Sequence, residues 1–387
     1  MPLPQPRRTA GPRTIVIGAG VVGLFCALEI ARHGGNVVVV DADAGPASAL
    51  APRAASSAAA GMLGAFSEAL YEGPRHHRRL AQLCAAGLAA WRKLADDDPA
   101  LGRFVNFPGA LLLSYDDADT ARVQRACSRA KTHGASADFF EGLAPGLDEK
   151  IFGARVKASA RLPTEGVLSP QPMLAAIAAR AVMLGASILR GREVMEILAD
   201  DSAVHGVAFD DGGELRCDRV VVATGALAPA SWRHAIPALA RVTPAKGMLG
   251  VARAPASLAS PEIVRAPNVY FTRDGGEVRF GATTEMARAD LDEDPETLAA
   301  LYLELRKTLP GVKFAATARQ ASVGLRPMTP DGAPLLGANG PYGCIVAAGH
   351  GRNGWLLGPI TGEAVDALVR GEDPTPVWAP FGPDRFS

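Results

Sequence analysis

The chain has 387 residues, room for two domains and at most three. Hydrophobic residues at 48% against charged residues at 21% exclude wholesale disorder and leave ample material for a core. Lys plus Arg and Asp plus Glu each number 40, and zero net charge argues against a dedicated nucleic-acid binder, which would carry a basic excess.

In chain order, the N-terminal MPLPQPRRTAGPR is proline-rich and has no apolar segment of the kind a secretory signal carries. Its Arg7–Arg8 pair could be read as an export signal, but the stretch that follows is better explained as a strand and a helix. The longest apolar run, 14–28, is broken by Gly18, Gly20 and Gly23, so no segment reaches the roughly 18 residues of a membrane span. Residues 14–17 (TIVI) form a β-branched run suited to a buried parallel strand. GAGVVG occupies 18–23, helix formers run from Leu24 to His33, and Gly34–Gly35 stops them. A second β-branched run, 36–40, ends at Asp41. Strand, glycine turn, helix, strand and acid in this order read as a dinucleotide site. Gly18 makes the tight turn, Gly20 admits a pyrophosphate against the backbone, and Gly23 lets helix and strand pack closely. The helix N-terminus offers free N–H groups to phosphates. Asp41, eighteen residues after Gly23, is placed to accept from ribose hydroxyls.

Residues 56–64 (SSAAAGMLG) would let the backbone lie against a large flat ligand, although the composition also fits a flexible linker. Residues 74–95 read as a helix with Leu80, Leu83, Leu88 and Trp91 on its apolar face; His76–His77 at its start has no third ligand at metal spacing. A charged helix is expected over 116–133, and another from the N-cap Ser169, with Pro170 at N1, to Gly185. Strands are expected near 188–189 and over 192–198, then a hairpin of 204–209 and 214–217, then a buried strand from Arg219 into Gly225. A second hairpin joins 268–271 to 277–280, and Asp294–Pro295 opens a helix to about Thr308. Helices between antiparallel hairpins point to a separate α+β domain mid-chain. Residues 324–337 read as a turn-rich loop, 343–348 as a strand, 349–354 as a glycine loop and 358–369 as a closing helix, so the chain returns to its first domain. Cys26, Cys84, Cys127, Cys217 and Cys344 are odd in number, widely spaced and without a CxxC pair. Neither a disulfide framework nor a metal site is expected, and free thiols fit a reducing cytoplasm.

IVIGAGVVGL…VVVVDAD, SSAAAGMLGA, VVVATGA, PAKG, VYFTRDGGEVRFGATTE, GLRPMTPDGAPLLG and AAGHGRNGWLLGP occur in this order between about Thr14 and Arg370. Together they resemble the FAD-dependent D-amino acid oxidase superfamily, and within it the glycine oxidase branch linked to thiazole formation for thiamine. The implied fold is α/β: a Rossmann-like FAD-binding domain of residues 14–75, 151–240 and 327–387. An inserted α+β substrate domain with an antiparallel sheet would hold 76–150 and 241–326. The resemblance adds to the glycines above FAD contacts at Val21, Val22, Asp41, Ala42, Ala55, Ser56, Ser57, Ala60, Gly61, Met62 and Val194. It also implies contacts along the loop His350, Gly351, Arg352, Asn353, Gly354, Trp355 and Leu356. It implies substrate contacts at Arg326, Arg352 and Tyr270, and noncovalent FAD, since no cysteine lies in the loop holding Met328.

Three positions depart from the branch: Gly351 replaces a bulkier residue, Thr284 a methionine and Trp355 a smaller aliphatic. The preferred side chain of the substrate therefore stays open.

The implied reaction is oxidative deamination of glycine or another small amino acid or amine, with O2 reduced to H2O2. Flavin N5 would carry the chemistry, so no catalytic side chain is singled out. An arginine suits the carboxylate because its planar fork makes two parallel bonds. A surface ion pair is the bland alternative for Arg326 and Arg352, and packing in a hairpin for Tyr270. N–H groups of the 349–354 loop could face the flavin edge where negative charge develops. Competing readings are a D-amino acid or imino acid dehydrogenase feeding a quinone, and a non-catalytic FAD-binding subunit. A homo-oligomer is left open.

Overall fold

The computed structural model describes residues 12–45, 54–70, 78–200, 202–256, 258, 262–274, 276–314 and 320–386. The Arg7–Arg8 and His76–His77 pairs lie outside them. β1 (Arg13–Ile17) and β2 (Asn36–Asp41) pair in parallel through their buried valines and isoleucines. Between them α1 (Val21–Arg32) is buried on nearly every face, which is why its sequence is apolar all round. α2 (Arg78–Asp97) follows, then β3 (Ala110–Ser114), α3 (Asp117–Thr132), β4 (Asp138–Glu141) and β5 (Ala158–Leu162). Asp116 caps α3 by accepting from the Asp119 N–H at 2.8 Å.

α4 (Pro170–Met183) leads into β6 (Ser187–Arg190) and β7 (Arg219–Val222). The strands between these two, 194–199, 204–209 and 214–216, form a separate three-stranded antiparallel sheet. β8 (Thr243–Arg253), β9 (Ile263–Arg265), β10 (Tyr270–Asp274), β11 (Glu277–Gly281) and β12 (Glu285–Met286) precede α5 (Pro295–Thr308). β13 (Gln320–Met328), β14 (Leu335–Ala338), β15 (Cys344–Ala348) and α6 (Gly354–Val369) complete the chain's main elements.

The first sheet has six strands in the order β14-β15-β7-β1-β2-β6, all parallel except β14. β15 therefore rejoins the sheet that β1 opens, between β14 and β7. The second sheet has nine strands, with β12-β8-β11-β10-β9-β3-β5-β4 along its path and β13 paired to β8. Its pairs are antiparallel except β9 with β3. Two elements sit across the expected partition. α2, placed with the substrate part, packs its Trp91 edge-on against Phe25 of α1, 5.4 Å between ring centres. β5, placed with the FAD part, lies in the nine-stranded sheet between β3 and β4.

Two local expectations are corrected. Residues 324–328 are strand, because β13 runs antiparallel to β8 from Thr243↔Met328 to Val251↔Gln320. Among the described residues β13 pairs with β8 alone, and such an edge tolerates the missing N–H of Pro327. The closing helix starts at Gly354, a turn earlier than expected, with Pro359 inside it. Pro359 cannot bond the carbonyl of Trp355, and the Trp91 indole N–H takes that acceptor instead at 2.7 Å. No helix among the described residues is long and apolar enough to cross a membrane.

Candidate active site

A cavity of about 700 Å³ opens between the two sheets. At one end the turn 18–20 joins β1 to α1. Gly18 has φ +108°, and a side chain there would strike the Ala223 carbonyl at 2.5 Å. Asp41, at the tip of β2, accepts from the Ala19 N–H at 2.5 Å and from the Asp43 N–H at 2.9 Å. The Val21 N–H, at the start of α1, meets the Ser56 hydroxyl at 3.0 Å. Behind Ser56, its carbonyl accepts from the Trp355 indole at 3.0 Å. Gly324 lets β13 close on this segment, since a side chain there would meet the Ala58 Cβ at 2.8 Å.

His350 is buried, and burial lowers its pKa to about 4. The Thr361 hydroxyl donates to the Leu357 carbonyl at 2.7 Å, so it accepts from His350 Nε2 at 3.0 Å, and the imidazole is neutral with its proton on that nitrogen.

The other end is cationic. Arg326 Nη1 donates to the Thr283 carbonyl at 2.8 Å, and no carboxylate among the described residues is in ion-pair contact with it. Burial and neighbouring Arg352 lower its pKa, yet a guanidinium stays charged. Arg352 lies 3.9 Å from Glu68, which also pairs with buried Arg265. The Arg265 guanidinium stacks on Tyr270, 4.7 Å from its ring centre. Burial pushes the Tyr270 phenol up, so it is a donor at neutral pH.

The cavity gathers the expected residues Gly18, Gly20, Val21, Val22, Asp41, Ala42, Ala55, Ser56, Ala60, Gly61, Met62 and Val194. Tyr270, Arg326, His350, Gly351, Arg352, Gly354 and Trp355 line it too. Gly23, Ser57, Asn353 and Leu356 do not. Gly23 faces the Gly18 carbonyl, Asn353 stands at the N-cap of α6, and Ser57 and Leu356 are buried in the wall behind. The sequence reading missed Glu68, Arg265 and Gly247. A side chain at Gly247 would collide with the Arg326 guanidinium, so the glycine of PAKG leaves room for that arginine. An arginine closing the apolar strand IVR was the legible sign of Arg265.

A family model described as FAD dependent oxidoreductase matches residues 13–368. The chain belongs to this family. Glycine oxidase of Geobacillus kaustophilus is 28% identical over 96% of each chain. The crystal structure of glycine oxidase from that organism superposes with a TM-score of 0.82, covering 97% of this chain and 98% of the other at 27% identity. D-amino acid dehydrogenase of Rhizobium rhizogenes is 27% identical over 93% of this chain and 96% of its own. The family's cofactor fits the residues present. The cavity has the volume, the Gly20 turn and Val22 bring backbone at the start of α1 to its wall beside Ser56, and Asp41 stands fixed next to it.

Proposed function

We propose that this FAD-dependent oxidoreductase oxidises glycine or another small amino acid or amine at the carbon bearing nitrogen. Amino acid, water and O2 give the oxo acid, ammonia and H2O2. The observation that carries the reading is Arg326, a guanidinium at the cavity wall whose partners are a backbone carbonyl and a hydroxyl. A half-buried charge of this kind, with no carboxylate in ion-pair contact among the described residues, calls for an anion.

Arg326 and Arg352 would take the substrate carboxylate, and the Tyr270 phenol would donate to it. That grip fixes which hydrogen on the adjacent carbon faces the cofactor, so small D- or N-alkyl amino acids are expected to react and bulky L-amino acids not. The first N–H groups of α1 would hold the pyrophosphate and Asp41 the ribose. Bound FAD supplies the acceptor for the electron pair. Neutral His350 keeps the 349–354 loop anchored to Thr361 without adding charge. None of the five cysteines lines the cavity, which supports noncovalent FAD.

The Rhizobium relative, a D-amino acid dehydrogenase, favours a second reading in which the same grip serves a dehydrogenase; its acceptor would be a quinone in place of O2. A panel of glycine, sarcosine and D-amino acids, read by peroxide release and by anaerobic reduction of a quinone analogue, separates the two. Peroxide with turnover supports the oxidase. Turnover with the quinone alone supports the dehydrogenase, and turnover with neither refutes both.

A further inference from the structure

The geometry points to Thr284 as a positioning residue that holds the Arg352 guanidinium beside Arg326, an inference that rests on the substrate grip proposed above. Its hydroxyl is 3.0 Å from Arg352 Nη2 and 3.4 Å from Arg326 Nη1, so one oxygen accepts from both cations. Two guanidiniums repel each other, and the mutual effect appears in Arg326, whose pKa Arg352 helps to lower. An acceptor placed between them offsets that repulsion.

The two arginines do not depend on it equally. Arg326 is also held by the Thr283 carbonyl at 2.8 Å, and glycine at 247 leaves its path open. Arg352 has a looser hold. Glu68 is 3.9 Å away and also engaged by Arg265, so the Thr284 hydroxyl is its one direct hydrogen bond at short range among the described residues. Thr284 is itself rigidly carried. The neighbouring Thr283 hydroxyl accepts from the Met248 N–H at 3.0 Å, and its N–H donates to the Met248 carbonyl at 3.0 Å. The backbone at 283 is thus pinned to β8 in both directions. Thr284 does not line the cavity, so it acts through the arginines.

Thr284→Val keeps the shape and removes the acceptor. In the FAD-loaded enzyme, acetate binding is read from the flavin spectrum, and kcat and KM are read on the preferred amino acid. The expected result is an acetate Kd and a KM each raised about 3- to 30-fold, the lower range of a hydrogen bond to a charged group because the pair is exposed. The kcat should hold within about 2-fold, FAD should be retained, and Thr284→Ser should restore most of the loss. In an Arg352→Ala background, Thr284→Val should add only a small further loss, that of its longer bond to Arg326. Wild-type acetate affinity in Thr284→Val, or an equal added loss without Arg352, overturns the inference. If the valine variant does not fold, Thr284→Ala is read by the same criteria. A wild-type enzyme that neither binds acetate nor oxidises any amino acid of the panel sinks the substrate grip itself, a result distinct from a wild type that does both while Thr284→Val matches it.

Discussion

Removing the Arg326 guanidinium would leave a substrate carboxylate facing the Thr283 carbonyl, acceptor against acceptor. Truncating one member of a buried charged pair costs about 2–5 kcal/mol, so Arg326→Ala should lower kcat/KM by roughly 30- to several thousand-fold, chiefly through KM. Arg326→Lys should recover part, since it keeps the charge and loses the fork. FAD should remain bound in both; its loss would move Arg326 from the substrate to the cofactor. Asp41→Ala frees the Ala19 and Asp43 N–H groups and removes the acceptor proposed for the ribose. FAD affinity should fall by roughly 1–3 kcal/mol, measured by fluorescence titration. His350 should weaken the folded state in acid. Its folded pKa of about 4 lies below the ordinary value near 6.5, so the unfolded chain takes up a proton first as pH falls. Stability is whole above pH 6.5 and is lost between there and pH 4, by about 3 kcal/mol. Urea unfolding at pH 7.5 and 4.5 should show that slope, and His350→Gln should flatten it.

At the level of elements, α6 rests on a substitution of donors. Pro359 leaves the Trp355 carbonyl without its helical partner, and Trp91 of α2 supplies an indole N–H in its place. Trp91→Phe keeps the ring against Phe25 but orphans that carbonyl, so unfolding free energy should drop by about 1–3 kcal/mol. Unchanged stability would mean that water or a relaxed turn takes the bond. The same proline explains why the start of α6 was illegible in sequence: a breaker six residues past Asn353 reads as a boundary, and the rescuing donor is 268 positions away from it. β13 was hidden in a similar way, because Gly324, Pro327 and the downstream Asp-Gly look like turn chemistry unless the edge position is known. By contrast, β1, α1 and β2 were legible with Asp41, because period, glycine spacing and acid all act within thirty residues. The chemistry of the distal cavity was half legible. Arg326 and Arg352 sit in glycine-marked motifs, whereas Glu68 and Arg265 meet only because the fold brings a short helical turn and a strand remote in sequence together.

Across the whole molecule the cavity is the seam between two sheets, so a ligand filling it should bind the folded state alone. Stripping FAD should lower the unfolding temperature, and re-adding it at a hundred times its dissociation constant should restore about 2.7 kcal/mol. A thermal midpoint indifferent to FAD would place the cofactor outside the seam. The strand order has a consequence for how the protein is made. β15 and α6 leave the ribosome last, yet β15 pairs with β7 next to β1, and α6 covers α1. During translation the N-terminal fingerprint is therefore synthesised first and roofed over last. α1, apolar on nearly every face, waits for more than three hundred residues without its cover, exposed to nascent-chain chaperones or to aggregation. The wall that bears Ala347, His350 and Trp355 is missing until that moment, so cofactor loading is expected after the 347–355 segment has emerged rather than before it.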